Sequence, residues 1–162
     1  MSQGHPILAG DHTSRWMGIT VDRADYGHAQ IRMTLREEML NGFGIAHGGM
    51  VFAFADTCFA LACNDPAGDG STITVASGVD INFIASAHRG QELTAVGTLR
   101  AQAGRSGVYD IQVTTEGRLV AEFRGRSRTI PNPALRGAPA DAPAGEPVLQ
   151  SAQPSAPQPE EV

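Results

Sequence analysis

Asp56 is the only charged residue in an otherwise apolar run from Gly48 to Cys63. On a helix its neighbours three and four positions away are Phe52, Ala53, Phe59 and Ala60. The carboxylate therefore stands on an apolar face. An unpaired carboxylate withdrawn from water is costly and has its pKa pushed upward. Such a group suits general-base or nucleophilic chemistry. Just upstream, Gly48 and Gly49 mark the expected helix start. Free N–H groups and the helix dipole there favour developing negative charge. Glycine also lets a substrate carbonyl approach the backbone closely. Together these are the ingredients of an oxyanion hole.

Two further residues complete the set. His47 precedes the glycines, and Asn41 opens the Gly-rich loop 41–49. Each also has a plain structural role. A Gly-Gly pair makes a turn, a histidine orders a loop, and an asparagine caps or turns the chain. His47 as substrate ligand or acid, and Asn41 as the group orienting water or substrate, are the functional counterparts. Asp56 lies about seven residues beyond the helix start, roughly 10 Å along the axis. One chain's Asp56 is poorly placed to reach its own Gly48 amide. A catalytic Asp56 therefore predicts a dimer with composite sites, built from antiparallel helices of two subunits.

The elements that must hold these residues are legible in outline. Trp16–Asp22 and His28–Leu35 read as two strands, the second alternating Ile31, Met33 and Leu35 with polar residues. Asp25-Tyr26-Gly27 supplies the turn between them. The apolar helix follows the Gly-rich loop and stops at Asn64-Asp65-Pro66. Four strands are expected over Ile73–Ile84, Glu92–Gln102, Val108–Thr115 and Leu119–Thr129. Two strands, one long buried helix and four strands predict an α+β fold, with an antiparallel sheet curved round the helix. A helix apolar nearly all round must be enclosed, and a second copy of the domain would finish what the sheet begins.

The chain has 162 residues and a net charge of -5. One folded domain is expected over residues 1–130. The segment 131–162 holds eight of the ten prolines and no aromatic residue. It cannot bury enough apolar surface to offset its chain entropy and reads as a disordered Pro/Ala-rich tail. The tail carries -3, which leaves -2 for the fold and no basic excess for nucleic acid. No secretory signal is visible at the N-terminus, and the central Asp56 argues against a membrane span. Cys58 and Cys63 would point about 140° apart on a helix. They read as unpaired core residues of a reducing, cytoplasmic protein.

The pattern Asn41-Gly42-x-Gly44-x-x-His47-Gly48-Gly49, with Asp56 seven residues on, resembles the hotdog-fold acyl-CoA thioesterases. Within them it resembles the phenylacetic acid degradation thioesterases, which hydrolyse phenylacetyl-CoA and its hydroxylated relatives. The similarity extends to Gly107-Val108-Tyr109-Asp110-Ile111 and Phe123-Arg124-Gly125-Arg126-Ser127, and covers nearly all of residues 14–130. The resemblance implies a hotdog fold and a Gly48 amide that polarises the thioester carbonyl. It implies that Asp56 of the neighbouring subunit serves as base or nucleophile, with Asn41 and His47 positioning substrate or water. It also implies dimers of dimers, and no metal, prosthetic group or cofactor beyond the coenzyme A of the substrate. The family often has Leu-Arg-Pro after a phenylalanine of the third strand, where this chain has Ile84-Ala85-Ser86 after Phe83.

Arg124, Arg126 and Arg128 alternate along the last strand and share one face. With Arg105, and with Gly49 at the helix start, they are candidates to contact coenzyme A, since Arg matches phosphate geometry. A solvated sheet face explains the arginines equally well. Two other functions compete with thioester hydrolysis. A hotdog hydratase-dehydratase would use His47 and Asp56 as an acid/base pair, but Gly48-Gly49 stands where that loop usually has proline. A non-catalytic acyl-CoA binding module would have no need of a carboxylate at position 56.

Overall fold

The structure is a computed structural model that describes residues 4–135. Its start corrects the strand expected over Trp16–Asp22. Asp11 caps a short helix, α1 (His12–Met17), by accepting the Ser14 amide at 2.9 Å. Gly18 ends that helix in the left-handed region at φ +70°, a conformation glycine adopts without penalty. The cap and the glycine outweigh the β-propensity of the residues that follow, so the first strand, β1 (Thr20–Asp25), begins only at Thr20.

The remaining elements follow the expected order. They are β2 (His28–Thr34), α2 (Gly48–Cys63), β3 (Thr72–Phe83), β4 (Glu92–Ala103), β5 (Ser106–Thr115) and β6 (Arg118–Pro131). All six strands form one antiparallel sheet in the order β1-β2-β4-β5-β6-β3. The chain leaves β2, runs through α2 and places β3 on the far edge beside β6. Helix α2 packs against every strand. A long helix wrapped by one sheet is the α+β hotdog architecture. Register shifts in β1, β3, β4 and β5–β6 mark bulges, which bend strands and increase twist.

The core lies between α2 and the sheet. Val51, Phe54, Ala55, Cys58, Phe59, Leu61 and Ala62 are buried on the helix. Phe59 meets Tyr109 and Phe123 at ring-centroid distances of 5.4 and 5.9 Å. Glycine is required where sheet and helix approach most closely: a β-carbon at Gly125 would stand 2.8 Å from the Phe59 ring. Burial pushes both thiols, Cys58 and Cys63, up to about 12, and both are unpaired and buried, as expected of core cysteines. No helix among the described residues is long and apolar enough to cross a membrane.

The sheet does not enclose α2 completely. Phe52, Ala53, Asp56, Thr57 and Ala60 are only half-buried, and Gly49 is exposed. Positions 49, 53, 56 and 60 recur at helical spacing and form one uncovered stripe. Asn64 ends the helix by stitching it to β3. Its amide nitrogen donates to the Ala60 and Thr74 carbonyls at 3.0 Å, and its oxygen accepts the Thr74 amide at 2.9 Å. At the chain end, β6 runs to Pro131 and a 3-10 turn follows at Pro133–Leu135. The rest of the expected tail lies outside the described residues.

Candidate active site

The start of α2 is organised by the loop before it. Asn41 Oδ1 accepts the Phe43 amide at 2.9 Å, and the Asn41 carbonyl accepts the Gly44 amide at 3.0 Å. Gly44 turns the chain at φ +74°. The loop is then fastened on two sides. His47 N donates to Met39 O at 2.9 Å, and Ala46 N donates to Ala87 O at 2.8 Å. Asn41 thus has the turn-forming role open to it from the sequence, while its side-chain NH₂ has no partner among the described residues.

His47 is the N-cap of α2. Its Nδ1 accepts the Gly49 amide at 3.0 Å, which places its proton on Nε2. Its carbonyl accepts the Met50 and Val51 amides at 2.9 and 3.2 Å. Gly49 must be small here, since a β-carbon would stand 3.2 Å from His47 Nδ1. One amide of the first turn remains. Gly48 N–H has no hydrogen-bond partner among the described residues.

A cavity of about 290 Å³ opens beside it, lined by Asn41, Ile45, Gly48, Val51, Phe83 and Val120 among others. Its far wall is the segment 84–87 that follows β3. An unpaired donor at a helix N-terminus, beside a mostly apolar cavity, can stabilise an oxygen that gains negative charge.

Asp56 is placed apart from this cavity. It lies eight residues along α2 from Gly48, about 12 Å at the helical rise. Its carboxylate makes no hydrogen bond or ion pair among the described residues, and burial raises its pKa above the ordinary 3.8. It projects from the uncovered stripe of α2. Within one chain, Asn41, His47, Gly48 and Gly49 come together, and Asp56 does not join them.

The arginines are elsewhere. Phe123, Gly125 and Ser127 face α2, so Arg124, Arg126 and Arg128 line the opposite, solvent face of β6. Arg124 binds both oxygens of Asp110, at 2.7 and 2.9 Å, and so holds that carboxyl below the usual range. Arg126 pairs with Asp80 at 2.6 Å. Arg105 sits in the β4–β5 turn, where its carbonyl accepts the Thr129 amide. That turn is nine residues along β6 from Val120 of the cavity, roughly 30 Å. Its guanidinium has no carboxylate partner among the described residues.

The sequence marks Ile84-Ala85-Ser86 after Phe83 only as a departure from the family pattern, not as a cavity wall. Phe83, Ile84 and Val120 line the cavity, and Arg118 pins this wall by donating to the Ser86 carbonyl from both terminal nitrogens at 3.0 Å. The available signal was the apolar Phe83-Ile84-Ala85 stretch, which breaks the alternation expected at a strand end.

Residues 43–122 match the Thioesterase superfamily. The chain is 38% identical to acyl-coenzyme A thioesterase PaaI of Escherichia coli over 127 residues, covering 78% of this chain and 88% of that protein. The structure of the E. coli PaaI protein, from the phenylacetic acid degradation operon, superposes with a TM-score of 0.74 at 37% identity. That match covers 79% of this chain and 91% of that one. An Asn→Asp variant of phenylacetic acid degradation protein PaaI from Thermus thermophilus superposes with a TM-score of 0.67 at 29% identity, covering 73% and 98%.

Proposed function

The chain belongs to the thioesterase superfamily and is an acyl-CoA thioesterase; from that premise we propose that it hydrolyses phenylacetyl-CoA or hydroxyphenylacetyl-CoA to the free acid and coenzyme A. The observation that carries the reading is the uncommitted Gly48 amide at the edge of a cavity lined mostly by apolar side chains. The names of the E. coli and T. thermophilus relatives support the aryl substrates.

In the proposed mechanism the thioester oxygen accepts the Gly48 N–H. Asp56 of a partner subunit acts at the carbonyl carbon. As general base it takes a proton from water while the water oxygen attacks; as nucleophile it attacks directly, and water then hydrolyses the anhydride. In either case the C–S bond breaks, its electrons leave with sulfur, and coenzyme A departs as a thiolate that takes up a proton. The free NH₂ of Asn41 and the Nε2–H of His47 are donors for orienting water or substrate. A carboxylate and an amide suffice for this chemistry, without metal or prosthetic group. Gly49, exposed at the start of α2, is a further proposed contact for the acyl-CoA. Of the three arginine candidates for the coenzyme A phosphates, Arg105 is the proposed contact; Arg124 and Arg126 already hold the carboxylates of Asp110 and Asp80.

The composite site requires a dimer. Two features favour one: the uncovered small-residue stripe that carries Asp56, and the outer edge of β3, which has no strand beside it among the described residues. Pairing of dimers into a homotetramer and a cytoplasmic location, in aromatic catabolism, complete the proposal.

Thiol release from phenylacetyl-, 4-hydroxyphenylacetyl-, benzoyl-, butyryl- and palmitoyl-CoA, with Asp56→Ala as control, tests it. Fast, Asp56-dependent release from the arylacetyl substrates is expected. A wild-type rate in Asp56→Ala would sink the mechanism, and preference for aliphatic chains would discard the substrate. Mixing inactive Asp56→Ala and Gly48→Pro chains tests the composite site. Statistical re-pairing should restore about a quarter of wild-type activity, because mixed dimers contain one intact site.

A further inference from the structure

The cavity beside Gly48 has a single aromatic wall. Phe83 closes β3, remains 55% exposed and lines the cavity. Its ring tip occupies the space beside Gly48 that a side chain there would need. A β-carbon at position 48 would lie 3.3 Å from Phe83 Cζ, and 3.6 and 3.7 Å from the two Cε atoms. The other apolar lining residues, including Ile45, Val51, Ile84 and Val120, are aliphatic.

The wall is fixed in place. Ile84 N and Ala85 N both donate to Val120 O, at 2.8 and 3.2 Å, and Arg118 holds Ser86 O. Ile45 and His88 bridge the wall to the Gly-rich loop. This chain's wall of the site is therefore fixed before a ligand arrives.

Resting on the hydrolase reading above, we propose that Phe83 is the residue that selects the acyl group, favouring a ring held one carbon away from the thioester carbonyl. An acyl oxygen on the Gly48 amide places the carbonyl carbon in the cavity that Gly48 and Phe83 both line. The next carbon of an arylacetyl group is tetrahedral. It lets the ring swing to a stacked or edge-to-face position against Phe83, where aromatic pairs gain most at centroid distances of about 4.5–7 Å. A benzoyl ring is conjugated with its carbonyl and lies in the carbonyl plane, so it cannot turn independently. A short alkyl chain fills space but has no ring face.

The test is the ratio of kcat/KM for phenylacetyl-CoA to that for butyryl-CoA, in wild type and in Phe83→Leu. Leucine keeps an apolar filling and removes the ring. The ratio should fall about three- to tenfold, the size of a lost aromatic pair. The loss should lie in KM, since the contact exists before and during reaction. Phe83→Tyr is a second variant. Its hydroxyl extends from Cζ towards Gly48 and should lower kcat for both substrates.

Equilibrium binding of the thioethers S-phenethyl-CoA and S-butyl-CoA gives the same comparison without turnover. An unchanged ratio in Phe83→Leu, or an equal fall for both ligands, overturns the proposal. Phe83-dependent preference for the phenethyl ligand without thiol release from any thioester would uphold the selector and remove the hydrolase reading.

Discussion

His47 Nδ1 accepts the Gly49 amide at 3.0 Å, and this one bond decides which donor of the first turn of α2 stays available. The His47 carbonyl takes the next two amides. Gly48 alone is left to face the cavity. His47→Ala should free a second amide and loosen the helix start, costing about 1 kcal/mol, a typical capping loss. Thermal unfolding measures this. His47→Asn supplies a capping oxygen and should recover most of the stability. If activity does not recover with it, the Nε2–H of His47 is needed for substrate or water.

Gly48 is the first residue of α2, and proline is tolerated there because that amide bonds nothing inside the helix. His47, at φ -65° and ψ 131°, already has the extended backbone a following proline demands. Gly48→Pro therefore deletes the proposed oxyanion donor with limited damage to the fold. Its β-carbon meets Phe83 at 3.3 Å, and Gly48→Ala carries the same burden while keeping the N–H. The proline variant should lose a further 10²–10³-fold in kcat, about 2.7–4 kcal/mol. Equal rates for the two variants would mean that the amide does no chemistry.

Asp56 is a half-buried carboxylate without a partner among the described residues, and burial raises its pKa. The folded state therefore holds its proton more tightly than the unfolded state does. Ionisation of Asp56 lowers stability as pH rises from the ordinary 3.8 through the raised folded value, and the cost persists above it. Asp56→Asn should accordingly raise the melting temperature near neutral pH while abolishing turnover. The gain should disappear below the ordinary value, where the acid is protonated in both states. A lower melting temperature for Asp56→Asn at neutral pH would show that the carboxylate has a stabilising partner in the assembly.

The same shift sets the acid limb of the rate profile. Base or nucleophile, Asp56 must be ionised to act. The limb of kcat/KM should turn at a pH above the ordinary 3.8 of an aspartate, with activity rising as pH increases through it. Enclosure by a second subunit would move it further upward by the same desolvation. A limb at or below 3.8 would place the ionising group in a solvated or cation-paired setting.

The sequence carried the helix and most strands because their patterns are local. The isolated charge of Asp56 and the glycine pair at positions 48 and 49 were visible for the same reason. Helix α1 was missed because it is short, and its Asp11 cap and Gly18 stop sit beside residues of high β-propensity. The Phe83 wall was not legible because it depends on topology. Phe83 reaches Gly48, thirty-five residues earlier, only because β3 crosses to the far edge of the sheet. The arginine stripe was legible as a stripe. Its carboxylates were not, since Asp80 and Asp110 come opposite Arg124 only through the registers of β3 and β5 with β6.

Those pairings separate the arginines as candidate phosphate contacts. Arg124 already binds both oxygens of Asp110, and Arg126 is held by Asp80. A phosphate would have to displace a carboxylate to claim either. Arg105 carries no such partner among the described residues, and its turn lies roughly 30 Å along β6 from its own chain's cavity. It can serve only a site completed by another subunit. Arg105→Ala should therefore raise KM for acyl-CoA at low ionic strength, with the difference shrinking as salt screens the charge. Arg124→Ala should leave KM near wild type and change thermal stability little. If the two variants exchange roles in that comparison, coenzyme A lies across the solvent face of β6 and the Asp110 pair opens to receive it.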